Sequence, residues 1–224
     1  MATKIGRLGS GASLFLILIA SASAAPIIVN NPSFETLPGS GLNYACTGAG
    51  CGFSLGGIPG WTDDATTGQL EPGSNTMYFN SVPDGDIVAF TEGVGTISQN
   101  VGAVTAGGTD YTLQVDVGLR RDLPSSPVGT VELMIGNTVV VASGVAPTAG
   151  NWSNYTAVYT SSAADVGKTI SIVLSSSANQ GDFDNVRLDA STLETDAVAP
   201  EPASLALIGF GLAALAGVMR RKRA

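Results

Sequence analysis

The sequence predicts an all-β protein, an antiparallel two-sheet sandwich wired as a jelly roll, flanked by an N-terminal signal peptide and a C-terminal transmembrane helix. Three observations predict it. Between the ends, apolar and polar residues alternate in short runs with a period of two, as strands with one buried face require. Gly, Pro, Ser and Asn collect at the joints between runs, where turns need them. Each end carries an uncharged span next to basic residues, unlike the acidic middle.

At the N-terminus Lys4 and Arg7 precede an apolar run at 14–20, and Ala22-Ser23-Ala24 has the small-residue pattern of a secretory cleavage site. Residues 1–24 are therefore expected to be a signal peptide cut after Ala24. The alternative, a retained anchor, has too short an apolar run to span a bilayer.

The body expected at 25–190 is long enough for a full core. In 111–120, Tyr111, Leu113, Val115, Val117 and Leu119 alternate with mostly polar neighbours. Runs at 131–135 and 139–142 flank Gly136-Asn137 and read as a hairpin. Further strands are expected at 27–30, 77–79, 87–90, 96–101, 152–159, 169–174 and 183–188. The stretch 39–73 is glycine-rich and poor in strand signal, so it reads as a long, partly pinned loop. No helical period persists and no internal repeat is visible, which argues against a propeller or solenoid. Residues 191–199 read as linker.

Charge narrows the partners. Six of the ten Lys and Arg lie in the two end segments, leaving four against 17 acids in residues 25–199, a net charge of −13. Nucleic acid and anionic lipid are excluded, because a polyanion needs a basic face. The chain has no histidine, which removes Ser-His-Asp and Cys-His catalysis. Cys46 and Cys51 would close to a small disulfide in an oxidising compartment. The alternative, a metal pair, has no further Cys or His to complete it.

Residues 200–224 combine Pro200-Glu201-Pro202, 17 uncharged residues at 203–219 and Arg220-Arg221-Lys222-Arg223. At about 1.5 Å per residue the span reaches roughly 25 Å, just enough to cross a bilayer core. The basic cluster would stay cytoplasmic and place the body outside. The three features in this order resemble the PEP-CTERM sorting signal of Gram-negative, biofilm-forming bacteria. That resemblance implies an exosortase as partner, cutting near Pro200, Glu201 and Pro202 after a transient inner-membrane stage, with the product at the cell surface or in the extracellular matrix.

The body also carries Asn31-Pro32-Ser33-Phe34-Glu35, Pro59-Gly60-Trp61, Ile97-Ser98-Gln99-Asn100-Val101, Gly150-Asn151-Trp152 and Phe183-Asp184-Asn185-Val186. This set resembles the galactose-binding-like jelly rolls, which include many carbohydrate-binding modules. Independently, Asp184 shares a parity with Val186 and Leu188, so if those face the core the carboxylate points inward and must find a partner. Ca²⁺ is one such partner. The resemblance implies a structural calcium ligated by Glu35 and Asp184. The alternative is that Asp184 accepts turn or cap hydrogen bonds and Glu35 is solvated.

Sugar binding needs an aromatic face beside fixed hydrogen-bonding groups. Tyr78 and Arg120 are the candidate ligand residues, whereas Trp61 and Trp152 sit in motifs that look structural in the resembled modules. Glu71, Glu92 and Glu132 could supply a glycosidase pair, but nothing in their spacing selects two of them. The expectation is a non-enzymatic surface or matrix protein that associates with extracellular polysaccharide. The alternatives are a structural or adhesive domain with protein partners, or a glycoside hydrolase.

Overall fold

The computed structural model describes residues 22–73, 77–124, 128–177 and 179–193. The expected sorting segment, and the expected signal peptide apart from its last three residues, lie outside the described residues. No helix among the described residues is long and apolar enough to cross a membrane.

Twelve strands occur among the described residues: β1 (Ala22–Ile27), β2 (Tyr44–Ala45), β3 (Gly52–Phe53), β4 (Thr67–Glu71), β5 (Val88–Glu92), β6 (Thr96–Ala103), β7 (Thr109–Leu119), β8 (Thr130–Ile135), β9 (Thr138–Val141), β10 (Asn151–Thr160), β11 (Thr169–Ser175) and β12 (Gln180–Leu193). A single 3₁₀ turn, Ala163–Asp165, is the helical element among them. The large sheet runs β10-β7-β12-β5-β4-β3-β2, with β1 also paired to β12, and the small sheet runs β6-β11-β8-β9.

Four antiparallel pairings are nested in the sequence: β8 with β9, β7 with β10, β6 with β11 and β5 with β12. Alternate pairs fall in alternate sheets, so the chain is one long hairpin wrapped around a core, which is the jelly-roll wiring. Its tip is the β8–β9 turn, where Gly136 takes the left-handed φ of 58° that a two-residue hairpin needs.

The core follows from the alternation in β7. Tyr111, Leu113, Val115 and Val117 are buried and meet Val131, Leu133 and Ile135 of β8 and Ile170, Ile172 and Leu174 of β11. Each such side chain contributes about 1.5–3 kcal/mol on leaving water. Phe34 closes one side, fully buried at φ 60°, a backbone region that a side chain of this size rarely takes. Its ring packs 5.4 Å from that of Trp61, whose Nε1 donates to the Asn31 carbonyl at 3.2 Å.

Four expectations are corrected. The stretch 39–73 contains β2, β3 and β4 and is not a plain loop. Residues 77–79 form no strand; the first strand ends at Ile27 and does not occupy 27–30; and β12 runs three residues into the expected linker. Gly68 disguised β4, yet a Cβ there would overlap the Ser54 carbonyl and the Phe90 ring, so close pairing requires the glycine.

The outer face of the large sheet is also covered. Leu70, Val88 and Phe90 project from β4 and β5 and are overlaid by Tyr78 and Phe79, with Trp152, Phe53 and both cysteines at the margin. This second apolar layer creates the site described next.

Candidate ligand pocket

Tyr78 and Arg120 are brought together. Arg120 follows the last residue of β7, and its guanidinium lies 4.4 Å from the Tyr78 ring centroid, a cation–π distance. Its Nε and Nη2 donate to the two carboxylate oxygens of Asp122 at 2.9 and 2.6 Å, and its Nη1 donates to Gln180 Oε1 at 2.8 Å. The Asp122 contact raises the Arg120 pKa against the opposing pull of burial. Arg120 thus clamps the end of β7 to the start of β12 and to the 77–82 segment, where the Tyr78 carbonyl accepts from Arg121 N at 2.8 Å.

Beside this clamp opens a pocket of about 150 Å³. Phe53, Leu70 and Phe90 form its apolar side, and Tyr78, Arg120, Gln180 and Glu92 its polar side. One wall is the β2–β3 hairpin, closed by a Cys46–Cys51 disulfide with Cα atoms 5.2 Å apart. Tyr44 stacks on Phe53 at 5.1 Å, Phe53 meets Phe90 edge-on at 6.3 Å, and the Thr47 N–H donates to the Tyr78 hydroxyl at 3.2 Å.

Beneath Gln180 and Arg120 lies Asp182, which the sequence reading did not single out. It is 1% exposed and stands opposite Phe90 and Gly118 in the sheet, on the outer, pocket-side face. Its Oδ1 accepts from Gln180 Nε2 at 2.7 Å. Burial pushes its pKa up to about 7, with Arg120 and Gln180 pulling the other way and Asp122 and Glu92 adding to the rise. The alternation Gly181-Asp182-Phe183-Asp184 looks like an ordinary exposed face, because the covering segment at 77–82 comes from far away in sequence.

Glu35 and Asp184 grip one loop, Asp84-Gly85-Asp86. Glu35 Oε1 accepts from the N–H groups of Asp86 at 3.0 Å and Ile87 at 2.8 Å. Asp184 Oδ2 accepts from Asp84 N at 2.9 Å and its Oδ1 from Asn185 N at 2.7 Å, while Ser33 Oγ donates to Asp84 at 2.6 Å. Asp184 is fully buried, but the parity argument for its direction is corrected. Phe183 faces Val117 in the core and Asp184 faces Asp116 on the outer side; a register shift after Asp184, with Asn185 at φ 52°, returns Val186 to the core. Burial raises the Asp184 pKa to about 8 despite its two backbone donors, and Asp84 and Asp116 raise it further. Among the described residues the ion pairs are Arg120–Asp122 and Lys168–Asp165, so no basic side chain neutralises this carboxylate group. The charge suits a cation, although no three acidic or sulfur side chains among the described residues already converge on one point.

Glu71 and Glu92 end neighbouring strands of the large sheet, whereas Glu132 lies on β8 in the small sheet. The fold therefore sets Glu132 apart from the other two.

Comparison with known proteins gives two family matches. The model of the HpiC1-like family, described as HpiC1 cyclase, matches residues 25–189, and that of the PEP-CTERM protein-sorting motif matches residues 198–223. No curated protein matches the chain. Among solved structures the chain is similar to the CBM22-1 xylan-binding domain of Paenibacillus barcinonensis Xyn10C, at 15% identity over 77% of this chain and 99% of that one, with a TM-score of 0.42. It is also similar to TmCBM61 in complex with β-1,4-galactotriose, at 12% identity over 73% of this chain and 97% of that one, with a TM-score of 0.40. With three quarters of its length matched by one family model, the chain belongs to the HpiC1-like family and ends in a PEP-CTERM sorting motif.

Proposed function

We propose that the protein is exported, sorted by an exosortase acting near Pro200-Glu201-Pro202, and retained at the cell surface or in the extracellular matrix, where its jelly roll binds polysaccharide without cleaving it. The carrying observation is the pocket: aromatic walls at Phe53, Phe90 and Tyr78 beside polar groups fixed by the Arg120 clamp. Such a concave, pre-built surface suits a sugar ring, which offers an apolar face and a rim of hydroxyls. The sorting motif supports the location. A glycan array probed with the mature protein tests the reading, with binding expected to be lost in Tyr78→Ala and Arg120→Ala variants that keep their melting transitions. Absence of any glycan signal would leave a structural or adhesive role with protein partners.

The same fold is proposed to hold a structural Ca²⁺ through Glu35 and Asp184. The support is that Glu35 and Asp184 hold the same 84–87 loop, and that Asp84 and Asp116 repel the Asp184 charge with no basic partner for it among the described residues.

A second reading, acid catalysis on a small apolar substrate, is favoured by Asp182. A carboxyl with a pKa of about 7 beneath an apolar pocket keeps a proton to donate near neutral pH. The cyclase description of the family is consistent with it. Turnover abolished by Asp182→Asn in a folded variant would establish this reading over simple binding.

A further inference from the structure

We propose that the pocket is built for an amine-bearing sugar, a glycan chain with free hexosamine amino groups, and selects against sugars that carry carboxylates. This rests on the polysaccharide-binding reading above and names the substrate class of the same site.

The reason is the charge bookkeeping of the pocket and its surroundings. The basic group lining it is Arg120, and that group is already engaged: Nε and Nη2 on Asp122, Nη1 on Gln180, its plane against Tyr78. The Nε/Nη2 fork of this guanidinium, one of the two-pronged faces by which arginine receives a carboxylate, is thus already filled by Asp122. At the mouth stands Glu92, exposed, lining the pocket, and with no side-chain hydrogen bond or ion pair among the described residues. Its carboxylate and that of Asp122 outnumber Arg120, with Asp182 underneath as a further acid. An incoming sugar carboxylate would meet this negative field, whereas an ammonium would find Glu92 as a partner beside the aromatic wall.

The preference continues beyond the pocket. Glu71, next in sequence to the pocket residue Leu70, lines a neighbouring cavity of about 410 Å³ together with Asp86. Glu71 and Glu92 stand at opposite ends of the antiparallel β4–β5 pair, so a chain with an amine on every ring, long enough to run the length of that pair, would meet a carboxylate at each end. With only four basic residues against 17 acids, residues 25–199 repel an anionic polymer in general.

The test is calorimetric titration of the full mature protein with a short β-1,4-linked glucosamine oligomer, its N-acetylated counterpart and an oligogalacturonate, at near-physiological salt. The glucosamine oligomer is expected to bind about threefold to fivefold more tightly than the N-acetylated one, the upper range for one exposed ion pair. The oligogalacturonate should not bind. Glu92→Gln should erase this preference, while Glu132→Gln, equal in charge change but on the small sheet, should keep it. Equal losses in the two variants would mean general attraction between polyions and overturn the proposal. Equal binding of the acetylated and free-amine oligomers would also overturn it, leaving the polysaccharide reading intact. Failure of all three oligomers overturns the proposal as well, and the glycan array decides separately whether the polysaccharide reading survives.

Discussion

Gly118 of β7 lies directly under the indole of Trp152, so that a Cβ at this glycine would sit 2.8 Å from the ring and 3.0 Å from Phe79. Trp152 in turn is fixed by the bond from its Nε1 to the Ser81 carbonyl at 2.9 Å and by a 4.6 Å contact with the Phe79 ring. The apolar layer over the pocket side of the sheet therefore depends on a missing side chain. Gly118→Ala is expected to cost about 1–3 kcal/mol, the usual penalty for forcing atoms into a packed site. A denaturant midpoint that falls with an unchanged slope would show it; an unshifted midpoint would mean that the layer can retreat.

The raised pKa of Asp182 makes stability depend on pH in a defined direction. Its folded value of about 7 exceeds the ordinary aspartate value of 3.8, so between those limits the folded chain holds a proton that the unfolded chain has released. Its contribution to stability is present at the acid end of this window and declines as pH rises through it. The slope from this one group can reach about 1.4 kcal/mol per pH unit. Asp184, raised to about 8, adds a slope of the same sign, so Asp182→Asn should lessen the fall in stability between pH 4 and 7 without abolishing it, read by chemical denaturation; a variant with the wild-type slope would remove Asp182 as a cause.

Closing the six-residue ring between Cys46 and Cys51 restricts the unfolded chain by about 2 kcal/mol in the loop-entropy account. Replacing both cysteines with serine should lower stability by up to that amount. It should also speed hydrogen exchange at the Thr47 amide, which the hairpin holds against the Tyr78 hydroxyl. Unchanged exchange would show that aromatic stacking of Tyr44 and Phe53 alone sets the wall.

If Glu35 and Asp184 hold Ca²⁺, removing the ion should lower the melting temperature and restoring it should raise the temperature in proportion to the logarithm of free calcium. Asp184→Asn should make the transition insensitive to chelator. A wild-type transition that ignores chelator would take the metal out of the account and leave both carboxylates as anchors of the 84–87 loop.

The strands that could be read directly were those with one dry face. In β7 the alternation from Tyr111 to Val117 is uninterrupted, and β8, β10 and β11 follow the same rule closely enough to be placed within a few residues. β4 was hidden because Thr67, Gly68 and Gln69 offer no apolar period, although all three are buried. Tyr78 and Phe79 had the composition of a strand, but they serve as a cover, held where the Tyr78 carbonyl accepts from Arg121 N and the next residue, Asn80, donates its N–H to the Gly150 carbonyl, and they run in no ladder. At the site, Tyr78 and Arg120 were legible as an aromatic and a cation near a strand end. Asp182 was not, since nothing in its own strand says that a distant segment seals the face it occupies.

The last strand among the described residues, β12, occupies the middle of the large sheet between β5 and β7. A polypeptide threaded N-terminus first through a translocation channel therefore cannot zip up from its leading end, because the keystone arrives only when residues 180–193 emerge. The sorting motif begins five residues further on, at 198. Completion of the sandwich and delivery of the cleavage signal would then be nearly simultaneous, with the slow, long-range pairing of such topologies setting the pace.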